Sequence, residues 1–202
     1  TGKTTDRNSK YFCLKEDEYV HAIERIKDSF YFVYPLANQQ PDFRINTIES
    51  VCEWLVMEHD VFSVIVDPYI KIRHEMLPGE PEHLYASRFM MDRINFTRRQ
   101  NVSYNMVMHQ TTPRREKKEQ NYPKPNLYNI KGGGTFADSA DNVLTVWRPY
   151  RGEDPLSTKV SFISEKIKKQ KLVGIPYEVE MDFDRKTNRY KSLSGVDYMD
   201  GS

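Results

Sequence analysis

The sequence predicts an α/β protein: a largely parallel sheet flanked by helices, with antiparallel strands along its C-terminal edge. Three observations carry this. Apolar residues recur at helical spacing in residues 46–56 and 82–99. Each of those stretches leads into a short apolar run of strand length, 61–66 and 102–108. Beyond residue 142 the pattern switches to strands alone.

Residues 16–28 place Tyr19, Val20, Ile23 and Ile26 on one helical face, and the aromatic, β-branched run 30–34 that follows predicts a strand closed by Pro35. Asn46 and Glu49 have capping-box spacing, and Ile48, Val51, Cys52, Leu55 and Val56 then recur turn by turn, as in a helix packed on a sheet. Val61-Phe62-Ser63-Val64-Ile65-Val66 is nearly all apolar, as expected of a strand buried on both faces, and it ends in Asp67-Pro68. The helix 82–99 and the strand 102–108 complete a strand-helix-strand crossover, which predicts parallel pairing. His109 ends the second strand, and a polar, proline-containing loop runs on to Thr135. Residues 143–147, 160–163 and 177–183 then read as strands of an antiparallel edge. A chain of 202 residues without repeats or long linkers is expected to be one domain, 1–202.

Thirty basic against 29 acidic residues leave a formal charge of +1, so affinity for nucleic acid has to come from local clustering. The two cysteines, Cys13 and Cys52, have no metal-ligand spacing, which argues against a zinc site or a disulfide scaffold and fits a reducing compartment. No apolar run reaches membrane-spanning length and no export signal is visible, so the expected location is cytoplasmic, with no membrane partner.

Thr1-Gly2-Lys3-Thr4-Thr5 matches the tail of a phosphate-binding loop, but such a loop follows a buried strand and opens an apolar helix. Here Asp6-Arg7-Asn8-Ser9-Lys10 is too polar for that helix, so the segment is expected not to bind phosphate.

Asp67 stands where an ATPase holds magnesium, usually through water, beside the β and γ phosphates. The same pattern also suits a loop carboxylate that caps the next segment. In a parallel sheet, His109 would emerge on the same edge as Asp67, placed to sense a γ-phosphate by donating a hydrogen bond, or simply satisfied at a strand end. Between Thr111 and Thr135, Arg114, Arg115, Lys117, Lys118, Lys124 and Lys131 outnumber Glu116 and Glu119, and the segment closes on Gly132-Gly133-Gly134. Such a loop can track a phosphate backbone, with bare glycine amides approaching closely, or can be a solvated turn. Lys166, Lys168, Lys169 and Lys171 end a strand and begin a turn closed by Gly174. From there cations could reach a neighbouring subunit's nucleotide, or they could protect an edge strand.

In this order the segments resemble the DnaB and Twinkle group of ring helicases, from a point after the Walker A loop to the end of the RecA-like motor domain. Val64-Ile65-Val66-Asp67-Pro68-Tyr69 is similar to the Walker B strand, and Val107-Met108-His109-Gln110 to the strand bearing the γ-phosphate sensor. Thr112-Pro113-Arg114-Arg115 resembles the His-Pro-Arg-Lys region of Twinkle-like members. Lys131-Gly132-Gly133-Gly134-Thr135 with Ala140-Asp141-Asn142-Val143-Leu144 resembles a DNA-binding loop and the strand entry after it. The segment from Lys166-Ile167-Lys168 to Gly174 resembles one whose cations reach the neighbour's γ-phosphate, with a lysine in the place of the family's arginine and without its planar fork.

The resemblance implies an ATP- and magnesium-dependent hexameric helicase that moves along single-stranded DNA and unwinds duplex. Asp67, His109, Lys166 and Lys168 would be its nucleotide-site residues. Arg114, Arg115, Lys117, Lys118, Lys131, Gly132, Gly133, Gly134 and Thr135 would be its DNA-binding ones. The Walker A loop and catalytic glutamate of the family are expected upstream of Thr1, so the piece alone is expected not to turn over ATP. The alternatives are another RecA-like DNA-dependent ATPase, such as a recombinase or a clock-type protein, and a non-catalytic fragment that binds DNA or caps a ring. A two-metal nuclease fits less well, since no second acidic residue stands at a clear spacing from Asp67.

Overall fold

The computed structural model describes residues 3, 8, 13–34, 43–111, 121–131 and 133–196. They fall into two compact units, one of Val33–Thr112 with Asn126–Val143, the other of Thr1–Phe32, Pro113–Pro125 and Leu144–Ser202.

The first of these units is built on a parallel pair of strands, β1 (Ser63–Val66) and β2 (Ser103–Met106), joined through the helix α3 (Glu82–Gln100). The predicted parallel crossover is therefore present. Val64 and Val66 point into the core, where Ile45 and Cys52 of helix α2 (Ile45–His59) and Tyr85, Ala86, Phe89 and Phe96 of α3 meet them. Both helices stop at a left-handed residue, Asp60 after α2 and Asn101 after α3, side chains that tolerate that conformation better than most.

Three sequence expectations are corrected by the structure. Strand β1 is not buried on both faces. Its burial alternates, Ile65 is 67% exposed, and the same face carries a polar cluster in which the Asn105 amide donates to the Ser63 and Ser103 hydroxyls at 3.1 Å each. The helices α2 and α3 cover one face only among the described residues. Asn46 and Glu49 do not form a capping box, because α2 starts two residues earlier than that box requires, with Arg44 at its N-cap. Glu49 is turned into the core, where it meets Arg93 of α3, Nε to Oε1 2.5 Å. Residues 30–34 join no strand ladder among the described residues. Phe32 is 79% exposed, and aromatic, β-branched composition makes no strand without an edge to pair with.

A short helix, α4 (Gly134–Ser139), belongs to the same unit and packs on α3 through Phe136 and Ala137, both buried. Phe136 lies edge-on to Tyr69, with ring centroids 5.0 Å apart, and Tyr69 also meets Phe89 and stacks on His74.

The second unit contains helix α1 (Glu16–Ile26) and most of a four-stranded sheet in the order β3 (Asn142–Trp147), β4 (Lys159–Ile167), β5 (Glu178–Asp184) and β6 (Arg189–Ser192). β4 and β5 pair antiparallel, as the sequence predicts, and β6 pairs antiparallel with β5. β6 has no counterpart among the sequence expectations, since Arg189-Tyr190-Lys191-Ser192 is too polar to stand out. Its pairing with β5 supplies the ladder that its composition does not advertise, and Asn188 at positive φ makes the turn before it. A short helix, α5 (Gln170–Val173), sits between β4 and β5 and ends at Gly174, whose φ of 117° favours glycine.

Candidate nucleotide and DNA site

The site is built at the C-terminal edge of the parallel pair. Pairing places Val66 opposite Met106, so the residues that leave the two strands, Asp67 and Val107, emerge side by side. Two further main-chain bonds extend the ladder past the strands. Val107 N–H donates to the Val66 carbonyl at 2.9 Å, and Tyr69 N–H to the Val107 carbonyl at 3.0 Å. The Asp67-Pro68-Tyr69 exit and the Val107-Met108-His109 exit are thereby held against each other. Both Asp67 and His109 are exposed at this edge.

The glycine loop is joined to the same place. Lys131 N–H donates to the His109 carbonyl at 2.9 Å, Thr111 N–H donates to the Asn129 carbonyl at 2.8 Å, and Gln110 bridges Ile130. Gly133 then turns back with its N–H on the Ile130 carbonyl and a φ of 96° before α4 begins at Gly134. Asn126 and Asn129 shape this return. The Asn126 side chain accepts from the Tyr128 amide at 2.8 Å, and the Asn129 side chain accepts from the Asn126 amide at 3.0 Å. These two residues are not among those the sequence reading singles out, although the Asn-x-x-Asn spacing just ahead of the glycines is an available signal.

Of the residues singled out from sequence, Asp67, His109, Lys131, Gly133, Gly134 and Thr135 therefore lie in one unit, with His109 tied directly to Lys131. Arg114, Arg115, Lys117, Lys118 and Gly132 lie outside the described residues. Lys166 belongs to β4 and Lys168 to the turn after it, both in the other unit. Lys124 is already engaged with Glu178, and this contact holds the Glu178 carboxyl below its usual range. Lys3 of the loop-like start pairs with Glu18 of α1.

Among the described residues no group of three or more His, Cys, Asp or Glu side chains could hold a metal ion. A magnesium ion at Asp67 would thus be held by one carboxylate together with water and the nucleotide's own oxygens, a usual arrangement for this ion. Asp67, exposed at a sheet edge, fits that role.

A solved structure of a DnaB-like replicative helicase, studied with its primase interactions, superposes on 94% of the chain with a TM-score of 0.65 and 17% sequence identity. The chain has the fold of part of a DnaB-like replicative helicase. A second solved structure, itself described as an ATPase domain, matches 93% of the chain, again at a TM-score of 0.65, with 18% identity. In sequence, the chain is 22% identical over 169 residues to the Twinkle homolog protein, chloroplastic/mitochondrial, of Arabidopsis thaliana, a match to 82% of this chain. No protein-family model matches. The chain spans 45% and 62% of the two solved chains and 22% of the Twinkle homolog. In this DnaB-like fold the edge bearing Asp67 and His109 is where open α/β sheets bind ligands, outside the carboxyl ends of their strands. Among the described residues no helix is long and apolar enough to cross a membrane.

Proposed function

We propose that this chain is part of the motor of a replicative DNA helicase, a ring-forming protein that spends ATP to move along single-stranded DNA and separate duplex. The observation that carries the reading is the joining of three elements at one sheet edge. Asp67 leaves β1, His109 follows β2, and the loop Lys131–Thr135 is hydrogen-bonded to the main chain of His109.

Each residue has a chemical task in this reading. Asp67 would hold a magnesium ion through water, and that ion would supply charge neutralisation for phosphoryl transfer. His109 donates to the γ-phosphate and registers its loss. Because the His109 carbonyl holds the Lys131 amide, a shift of that strand end moves the loop. In the loop, Lys131 supplies a cation and Gly133, Gly134 and Thr135 present main-chain amides and a hydroxyl to a phosphate backbone. Arg114, Arg115, Lys117, Lys118 and Gly132 extend that surface. Lys166 and Lys168 act on the nucleotide of an adjacent subunit in a homo-oligomer, as a hexamer would require, and as lysines they act as point charges. Two cysteines without metal-ligand spacing, the buried Cys52 and the half-buried Cys13, suit a reducing compartment such as the cytoplasm of a cell or of a phage-infected host.

The test is unwinding of a forked duplex by the intact gene product with ATP and magnesium. Asp67→Ala is expected to abolish strand separation while leaving salt-sensitive binding to single strands. Unwinding that survives this change would overturn the reading. DNA binding that never responds to nucleotide, in the wild type as well, would favour a DNA-binding or ring-capping module instead.

A further inference from the structure

Helix α1 has no buried residue. Eleven residues are fewer than an isolated helix needs in water, where most helical stability comes from packing an apolar face. Its apolar stripe, Tyr19, Val20, Ile23 and Ile26, is 41% to 53% exposed, and its first turn is acidic, with Glu16, Asp17 and Glu18. The turn between β4 and β5 is its counterpart in charge. There Leu172, Val173, Ile175 and Tyr177 are 63% to 83% exposed and sit beside the exposed Lys169 and Lys171. This turn is built rather than loose. Leu172 and Val173 N–H both donate to the Lys169 carbonyl at 3.0 Å, Gly174 N–H donates to Gln170, and Ser164 N–H fixes the base on the Tyr177 carbonyl at 2.8 Å.

We infer that the acidic, apolar face of α1 in one copy of this chain docks on the basic, apolar β4–β5 turn of the next copy. Two different patches of one chain, each apolar and of opposite charge, complement each other between molecules. Such a contact is heterologous, so it propagates from copy to copy and closes into a ring or continues as a filament. Burying the stripe gives α1 a packing surface that the described residues of its own chain do not, and the opposed charges set the register of the two patches. The inference deepens the homo-oligomer of the proposed function and rests on that part of it.

The experiment follows assembly of the full 202-residue chain by sedimentation over a concentration series. Wild type is expected to form assemblies larger than a dimer. Val20→Glu with Ile23→Glu should leave monomers, and so should Leu172→Glu with Ile175→Glu. An equimolar mixture of these two variants should give a heterodimer and nothing larger, because each keeps one intact patch and one contact forms. As a second set, Glu16→Lys with Asp17→Lys and, separately, Lys169→Glu with Lys171→Glu should each lose assembly, and their combination in one chain should regain it. A wild type that stays monomeric throughout overturns the inference. Variants that assemble like wild type also overturn it, yet leave a ring helicase standing with a different interface, and the Asp67→Ala unwinding assay tests that reading independently.

Discussion

The carbonyl of His109 accepts a hydrogen bond from the amide of Lys131 at 2.9 Å, joining the segment that leaves the second parallel strand to the first residue of the glycine loop. A strand end and a loop joined through main chain cannot move independently, and no side chain is needed to transmit the movement. Replacing Lys131 removes a cation but leaves this bond in place. Lys131→Ala is therefore expected to weaken single-strand binding alike for all sequences and to reduce the slope of log affinity against log salt by about 0.7. Fluorescence anisotropy of a labelled oligonucleotide across a salt series measures both. An unchanged slope removes Lys131 from the DNA contact.

The loop's conformation depends on Gly133 more than on Gly134. Gly133 has φ 96° and ψ 172°, a region essentially confined to glycine, where another residue costs on the order of 1–3 kcal/mol. A side chain at Gly134 would find only the Tyr128 ring, at 3.4 Å. Gly133→Ala should therefore lower both the melting temperature and single-strand affinity, whereas Gly134→Ala should change stability little. Equal melting temperatures for the two variants would show that the turn has another conformation open to it.

Glu49 and Arg93 form a buried pair in the core of the parallel unit, with the Arg93 guanidinium also 4.6 Å from the centre of the Phe89 ring. Burial pushes the Glu49 carboxyl above its usual range, against the pull of Arg93. Taking away one partner leaves an uncompensated buried group, so Arg93→Met alone should cost about 3–5 kcal/mol. The double change Glu49→Leu with Arg93→Met removes both charges and should cost clearly less than Arg93→Met alone. Denaturant titrations of both variants decide it. A double variant no better than the single would mean that the pair's geometry, rather than its charge balance, holds α2 to α3.

The antiparallel sheet has an acid-sensitive clasp. The Lys191 ammonium, donating to Asp184 at 2.8 Å, together with the Lys186 amide, holds the Asp184 carboxyl at about 2. Lys159 and Thr158 likewise hold Asp182 below its usual value. A carboxyl lowered on folding contributes stability above its unfolded value, about 3.9, and loses it as pH falls through the folded one. Asp184→Asn should therefore lower the melting temperature at neutral pH, with the gap to wild type closing as pH approaches about 2. A gap that stays constant with pH would assign the effect to lost hydrogen bonds alone.

Burial, and then the nearby Glu49 charge, push the Cys52 thiol up to about 11, whereas Cys13 is half-buried. In the native protein, one thiol should react quickly with a disulfide reagent and a second only after denaturation. Two fast thiols would show that α2 opens readily.

Much of this is readable in the residues themselves. Helix α3 and the parallel strands around it follow from apolar periodicity, and β5 follows from strict alternation through Glu178-Val179-Glu180-Met181-Asp182-Phe183. Asp67 and His109 stand out because each ends an apolar run. Other features are not readable, since a partner distant in sequence determines them. Glu49 has the spacing of a helix cap, but Arg93, 44 residues away, gives its carboxylate a better place in the core. Residues 30–34 have strand composition without a strand beside them among the described residues. Arg189–Ser192 has no strand composition, but it pairs with β5.

The sequence by itself determined the helices α1, α2 and α3, the parallel pairing of β1 with β2, and the antiparallel strands β4 and β5, because periodicity is a local property. Only the tertiary structure decided that β1 keeps one face open, that Glu49 belongs to the core, and that the glycine loop is fastened to His109. Those outcomes depend on hydrogen bonds and packing between segments far apart in the chain, and no local pattern encodes them.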